Sequence, residues 1–200
     1  RARRRLDGVR QALSQAVGSG HRGVAVPFDA QPVLQGERLE LRPLRAEDWE
    51  ALYAVASDSL IWEQHPSRNR HELEVFRAFF DEALASGGAL VAIDRANGLV
   101  IGSSRFHGYD EAASEVEIGW TFLARLYWGG VYNGEMKRLM LEHAFRFAES
   151  VIFVIGPQNL RSQKAVLKLG AVLTSETRPG AGGDSLVFRL TRAAFEKGRE

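Results

Sequence analysis

The run WGGVYNGEMKRLML, residues 128–141, carries the strongest chemical signal in the chain. Two adjacent glycines, Gly129 and Gly130, follow an apolar stretch and lead into an amphipathic segment that reads as a helix from near Asn133. A turn free of Cβ crowding presents several backbone N–H groups together, and the first turn of the helix adds unpaired donors and the positive end of its dipole. That combination suits a phosphate-bearing anion, and it equally suits a plain strand-to-helix reversal. In SEVEIGWTFL, just before it, Glu117 shares one face with Glu115 while Val116 and Ile118 take the other. A carboxylate on a central strand is costly to bury unless it is paired or used. Trp62, Glu63 and His65 crowd a short polar stretch, where they could line a pocket or form an ordinary surface loop. The five histidines, at 21, 65, 71, 107 and 143, lack metal-ligand spacing, so no metal site is expected.

The elements that must hold these groups follow from periodicity. Alternation over Leu39 and Leu41 predicts a strand, and Trp49, Leu52, Tyr53 and Ala56 recur at helical spacing. A second helix is expected over 69–85, then a hairpin with strands 89–94 and 99–108 turned at Asn97–Gly98. A strand over 114–124 enters the glycine turn. The helix beyond it has an apolar side built from Met136, Leu139, Met140, His143, Ala144 and Phe147, and VIFVIG at 151–156 reads as a strand covered on both faces. A helix over 160–169 and strands at 171–178 and 184–191 complete the order β-α-α-β-β-β-α-β-α-β-β, and the tail adds a final helical turn. The loop 178–184 between the last strands, RPGAGGD, is expected to lack regular structure. The fold class is therefore α/β, a mixed and mostly antiparallel sheet with one parallel crossover and a slot where that strand pair diverges.

Charge separates two regions. Residues 1–36 hold six arginines against two aspartates, while the remainder carries 20 basic and 23 acidic side chains. The first 36 residues read as an arginine-rich arm and linker, with a short helix on Leu6, Val9, Leu13 and Val17, and residues 37–200 as the domain. The arm could pack on its own domain or on a second copy of the chain, so a homodimer is one expectation. A basic excess confined to a terminal arm argues against nucleic acid as partner. No stretch of about eighteen apolar residues occurs and no secretory signal pattern is present, so neither membrane insertion nor secretion is expected, and the cytoplasm is the expected location. Cysteine is absent, which excludes disulfides and thiolate metal ligands.

The element order, WGGVYNGEMKRLML after a strand, and the later NLRSQKAVLKLGAV together resemble the GCN5-related N-acetyltransferases (GNAT), and within them the ribosomal-protein alanine acetyltransferases, over residues 37–191. The resemblance implies that the strand over 114–124 splays from its parallel neighbour and that acetyl-coenzyme A lies in the gap. Backbone at Trp120, Phe122 and Leu123 would meet its pantetheine. Trp128, Gly129, Gly130, Val131, Tyr132, Asn133 and Gly134 would form the pyrophosphate loop, and Asn159 and Ser162 would contact the pantetheine and phosphate region. Val131 and Asn133 depart from the usual loop signature, whereas Trp128–Gly129 is a common start in that branch, and Val166 stands where many members place an acidic Tyr. Glu117 would be the base that frees the attacking amine, with His107 the alternative, unless Glu117 only pairs with Arg105 or another basic group. Trp62, Glu63, His65, Arg105 and the loop 178–184 would border the acceptor. The activity implied is acetyl transfer to a primary amine by direct attack in a ternary complex, on a small molecule or a protein N-terminus. The acidic balance of the domain favours a cationic acceptor. The departures admit a second expectation, a non-catalytic acyl-coenzyme A sensor on the same fold.

Overall fold

The architecture is that of a computed structural model, which describes residues 27–180 and 182–198. The expected N-terminal helix over Leu6–Val17 lies outside the described residues. Among them eight strands form one sheet: β1 (Leu34–Gln35), β2 (Leu39–Pro43), β3 (Ala89–Asp94), β4 (Val100–Asp110), β5 (Glu115–Leu123), β6 (Ser150–Ile155), β7 (Val172–Gly180) and β8 (Gly183–Thr191). The strand order is β1-β2-β3-β4-β5-β6-β8-β7, with every neighbouring pair antiparallel except β5 and β6. The α-helices among the described residues are α1 (Trp49–Ala56), α2 (Leu73–Ala85), α3 (Val131–Ala144), α4 (Leu160–Lys168) and α5 (Arg192–Lys197). The mixed sheet with helices on both faces is the α/β fold expected.

Each face of the sheet has its own apolar core. On one side Leu52 and Ala56 of α1 and Phe76, Phe79 and Phe80 of α2 close over Ala89, Val91 and Phe122. On the other, Met136, Met140 and Ala144 of α3 and Val166 of α4 cover Leu90, Ala92, Ile118, Val151 and Phe153. β3 is buried on both faces because alternate residues serve the two cores. Residues 28–35, read from sequence as linker, join this body. Phe28 stacks on Tyr109 with ring centroids 4.8 Å apart, the Asp29 carbonyl lies 2.7 Å from His143 Nε2, and β1 pairs with β2.

Two local readings are corrected. The glycine- and proline-rich stretch at 178–184 is not irregular: pairing runs through Pro179↔Asp184 and Gly180↔Gly183 to the tip of a β7–β8 hairpin. A positive φ of 105° at Gly183 lets the chain reverse there. The helix after the glycine turn starts at Val131 rather than Asn133, with Gly130 as its N-cap. Among the described residues no helix is long and apolar enough to cross a membrane, and no group of three His, Cys, Asp or Glu is placed to hold a metal ion.

Candidate active site

The site begins with a fault in β5. Trp120 adopts φ 53°, a left-handed conformation that a bulky residue rarely takes, and the β4–β5 register shifts between Ser103 and Arg105. The bulge reverses the alternation along the strand. Val116 and Ile118 face the α3 core, but beyond the bulge Phe122 faces the α1–α2 core. It also turns β5 away from β6. The parallel ladder joins only Glu115↔Ser150, Val116↔Val151 and Glu117↔Ile152, and past Ile152 the strands part. The result is a slot at the carboxyl ends of the parallel pair.

The glycine turn stands at the mouth of that slot. Gly129 and Gly130 have φ of 104° and 112°, values that favour glycine, and an added Cβ at either would meet nothing within 4 Å. The glycines are therefore required by backbone conformation, and the space above them is open. No side chain caps α3, and the first intrahelical bond in the turn is Gly134 N–H to the Gly130 carbonyl. The amides of Val131, Tyr132 and Asn133 thus lack helical acceptors, the arrangement that takes an oxyanion. The Val131 side chain is 59% exposed and does not fill the turn. Tyr132 turns its hydroxyl to Asp94 Oδ1 at 3.4 Å and its ring to Tyr127, so any role in the turn falls to its amide.

Trp128 donates through Nε1 to the Leu123 carbonyl at 3.0 Å, tying the turn to the end of β5. Arg161, which the sequence reading did not single out, lays its guanidinium 4.0 Å from the centre of the Trp128 ring. That contact joins α4 to the turn and sets a cation against Trp128, with Nη2 donating to the Ile61 carbonyl at 3.0 Å. Asn159 Oδ1 accepts from the Ser162 N–H at 3.2 Å and so caps α4. A diphosphate would meet the first turn of α3 and Arg161, and an extended pantetheine would run along the part of β5 that has left β6. The residues present fit coenzyme A. Replacing Gly130 with Ala should leave the fold intact, since nothing collides with the new methyl. It should cost about 1–3 kcal/mol of backbone strain at the turn and weaken acetyl-coenzyme A binding about tenfold or more, read by calorimetric titration. An unchanged affinity would separate the turn from the cofactor.

Within the slot lies Lys137, another residue the sequence reading passed over. It is 6% exposed, and its Nζ donates to Thr121 Oγ1 at 2.5 Å and more weakly to Ser104 Oγ at 3.5 Å. Burial without an acid beside it pushes its pKa down to about 7.

On the opposite face of the sheet, Glu117 and His107 are cross-strand partners. The Glu117 carboxylate forms no hydrogen bond or ion pair among the described residues. Burial raises its pKa to about 7, against the opposing pull of Arg178 and then Arg105. The expected alternative of a Glu117–Arg105 pair does not form: Arg105 Nη1 donates to Glu82 Oε1 at 2.9 Å. His107 is exposed and sets its ring 5.2 Å from Trp120, edge to face. Trp62 is buried, with Nε1 donating to the Ala56 carbonyl at 2.7 Å, and His65 packs against its ring. Glu63 points to solvent, within the electrostatic reach of Arg161. Pro66, which follows His65, lies against Gly156 after β6 and Gly182 at the hairpin tip, so this loop and the hairpin meet over the end of β6. The structure therefore gathers Trp62, His65, Arg105, His107 and Glu117 on the α1–α2 face and sets the glycine turn, Asn159 and Ser162 at the slot.

Residues 38–172 match the family described as Acetyltransferase (GNAT) domain. Among solved structures, a GCN5-related N-acetyltransferase from Brucella melitensis superposes with TM-score 0.74 at 19% identity, covering 85% of this chain and 83% of that one. An acetyltransferase from Agrobacterium tumefaciens str. C58 gives 0.64 at 23% identity, covering 86% and 100%. Mycobacterium smegmatis RimJ in complex with CoA-disulfide gives 0.57 at 19% identity, covering 78% and 82%. At these identities the structures establish likeness of fold.

Proposed function

The chain belongs to the GNAT acetyltransferases, and from that premise we propose that it is an acetyl-coenzyme A-dependent N-acetyltransferase acting on a primary amine by direct attack in a ternary complex. The observation that carries the reading is the bulge at Trp120, which opens the β5–β6 slot beside the uncapped first turn of α3. Acetyl-coenzyme A, when bound, supplies an activated acetyl thioester. In this reading the amides of Gly129 to Gly134, with Arg161, Asn159 and Ser162, hold its phosphates and pantetheine, and β5 from Trp120 to Leu123 offers its edge. The complex of RimJ with CoA-disulfide supports the same occupant by analogy.

The chain's own groups then divide the work. Glu117, with a pKa about 7, can take a proton from an ammonium near neutral pH, and His107 beside it is the alternative base. Backbone N–H groups along the splayed part of β5 can polarise a carbonyl, and holding the two reactants together supplies much of the rate. Val166, in the place of the Tyr expected of many relatives, is buried apolar core and holds no proton. Lys137 does, at Nζ inside the slot, and is the donor we assign to the leaving sulfur.

The finer placement with the ribosomal-protein alanine acetyltransferases belongs to this proposal, as do the cytoplasmic location, the acceptor as small molecule or protein N-terminus, and a homodimer through an arm that ends before Phe28. Titration with acetyl-coenzyme A should show saturable binding, and a panel of amines should release free coenzyme A thiol. Absence of binding at millimolar cofactor would refute the reading, whereas binding without thiol release from any amine would favour the sensor.

A further inference from the structure

Beside Glu117, on the α1–α2 face, hydrogen-bond donors lack acceptors. Arg105 leaves β4 with only 2% of its surface exposed. Its guanidinium lies 4.5 Å from the Trp120 ring centre and 5.7 Å from that of Phe79. Nη1 reaches Glu82, but Nε and Nη2 are buried with no partner among the described residues. Arg70 places a second guanidinium 4.4 Å from the same Phe79 ring. Its Nη1 is 3.3 Å from His65 Nε2. The Ser67 N–H donates to His65 Nδ1 at 2.9 Å, which leaves the ring proton of neutral His65 on Nε2. Two donors therefore face each other with no acceptor between them. Burial and then the Arg70 cation hold the His65 pKa at about 4, so the ring stays neutral.

A buried donor without an acceptor destabilises the fold, because it has given up its bonds to water for nothing in return. The charge here is unbalanced as well: two guanidinium groups face one ionised carboxylate, Glu82, and Glu117 is largely uncharged below its raised pKa. A group that only accepts hydrogen bonds and carries negative charge would relieve both deficits, and a carboxylate matches the planar fork of a guanidinium. A polyamine or an aminoglycoside would add donors and positive charge to a place already rich in both.

Building on the acetyl-transfer reading, we propose that the acceptor is a small amine that also carries a carboxylate, of the amino-acid class, with Arg105, Arg70 and His65 receiving the carboxylate while Glu117 faces the amine. Arg105 lies opposite Gly119, and Glu117 sits two residues away on the same face. Diagonal neighbours of this kind are about 7–8 Å apart, which suits two groups borne on one carbon. The partly exposed ring of Trp120 favours an apolar side chain. This narrows the acceptor and replaces the cationic one that net charge alone suggested. The transfer balances: Glu117 takes one ammonium proton, and the nitrogen lone pair forms the N–C bond as the C–S bond breaks with its pair on sulfur. The second proton released from nitrogen ends on that sulfur.

The full chain should be assayed by thiol release and, with coenzyme A present, by calorimetric titration, using L-phenylalanine, L-leucine and L-methionine, their amides, phenethylamine and spermidine. The carboxylate-bearing amines should bind and react at least about tenfold better than their amides. Arg105→Gln and, where that variant folds poorly, Arg70→Gln should bring this ratio near one, chiefly through KM, while acetyl-coenzyme A affinity stays unchanged. Amides or spermidine that bind or react as well as the amino acids would overturn the carboxylate site while leaving acetyl transfer standing. Loss of acetyl-coenzyme A binding would instead strike the underlying reading. If cofactor binds and no amine reacts, the calorimetric preference decides: amino acid over amide upholds the carboxylate site, and equal or absent binding refutes it.

Discussion

Replacing Glu117 with Gln should lower kcat/KM for acetyl transfer about a hundredfold, the lower end of what a positioned base contributes. The wild-type profile should rise with pH through about 7, where the carboxylate loses its proton. In the variant that limb should vanish, leaving only the ionisation of the amine itself. Stability should move the other way. The folded pKa lies above the value of 4.5 for an unstrained carboxylate, so the folded protein holds this proton more tightly than the unfolded chain. Stability is therefore lost as pH rises from 4.5 through 7, and above that window the Gln variant should be more stable by an amount on the order of 3 kcal/mol. A variant that keeps both the rate and the pH limb would remove Glu117 as base and leave His107.

Lys137→Met should likewise separate activity from stability. The folded pKa of about 7 lies below the ordinary 10.5, so the unfolded chain binds this proton more tightly. The penalty is absent above 10.5, grows as pH falls through that window and is complete below about 7. Met fills a similar volume without a charge to bury, so the variant should be stabilised at pH 7 by an amount on the order of a few kcal/mol. The pH dependence of its Tm between 7 and 10.5 should flatten. If Lys137 supplies the proton to the leaving sulfur, kcat should nonetheless fall about tenfold or more, and least for thioesters whose thiol is already a good leaving group. A stabilised variant with unchanged kcat would reduce Lys137 to a structural oddity of α3.

What sequence could and could not convey is clear from particular residues. Regular elements declared themselves because burial imposes its period. The continuous VIFVIG run became β6, and the α3 stripe of Met136, Met140 and Ala144 became core. The start of α3 was placed two residues late because Val131 and Tyr132 have the branched or aromatic character of strand residues, whereas the N-cap at Gly130 decides the matter. The bulge was hidden, since Trp120 is not the residue expected at φ 53°. Its one trace was Leu123, an apolar residue out of phase with Val116, Ile118 and Phe122. Lys137 could have been found: it lies three before Met140 and seven before Ala144, on the buried stripe, where a lysine is out of place. Arg70 carried no comparable mark. It stands in the polar run SRNRHE, and only the tertiary fold brings it to the Phe79 ring beside Arg105.

The bulge in β5 has a consequence for how such a protein can change. Because it reverses the strand midway, the donor and acceptor sites proposed above would draw on different side chains of one short segment, the first at the glycine turn and slot and the second on the α1–α2 face. On that proposal, Arg70, Arg105 and the loop around His65 could be exchanged for residues suited to another amine while Gly129, Gly130 and α3 stay as they are. Selection, natural or in the laboratory, can thus retune which molecule is modified without rebuilding the machinery that delivers the acetyl group.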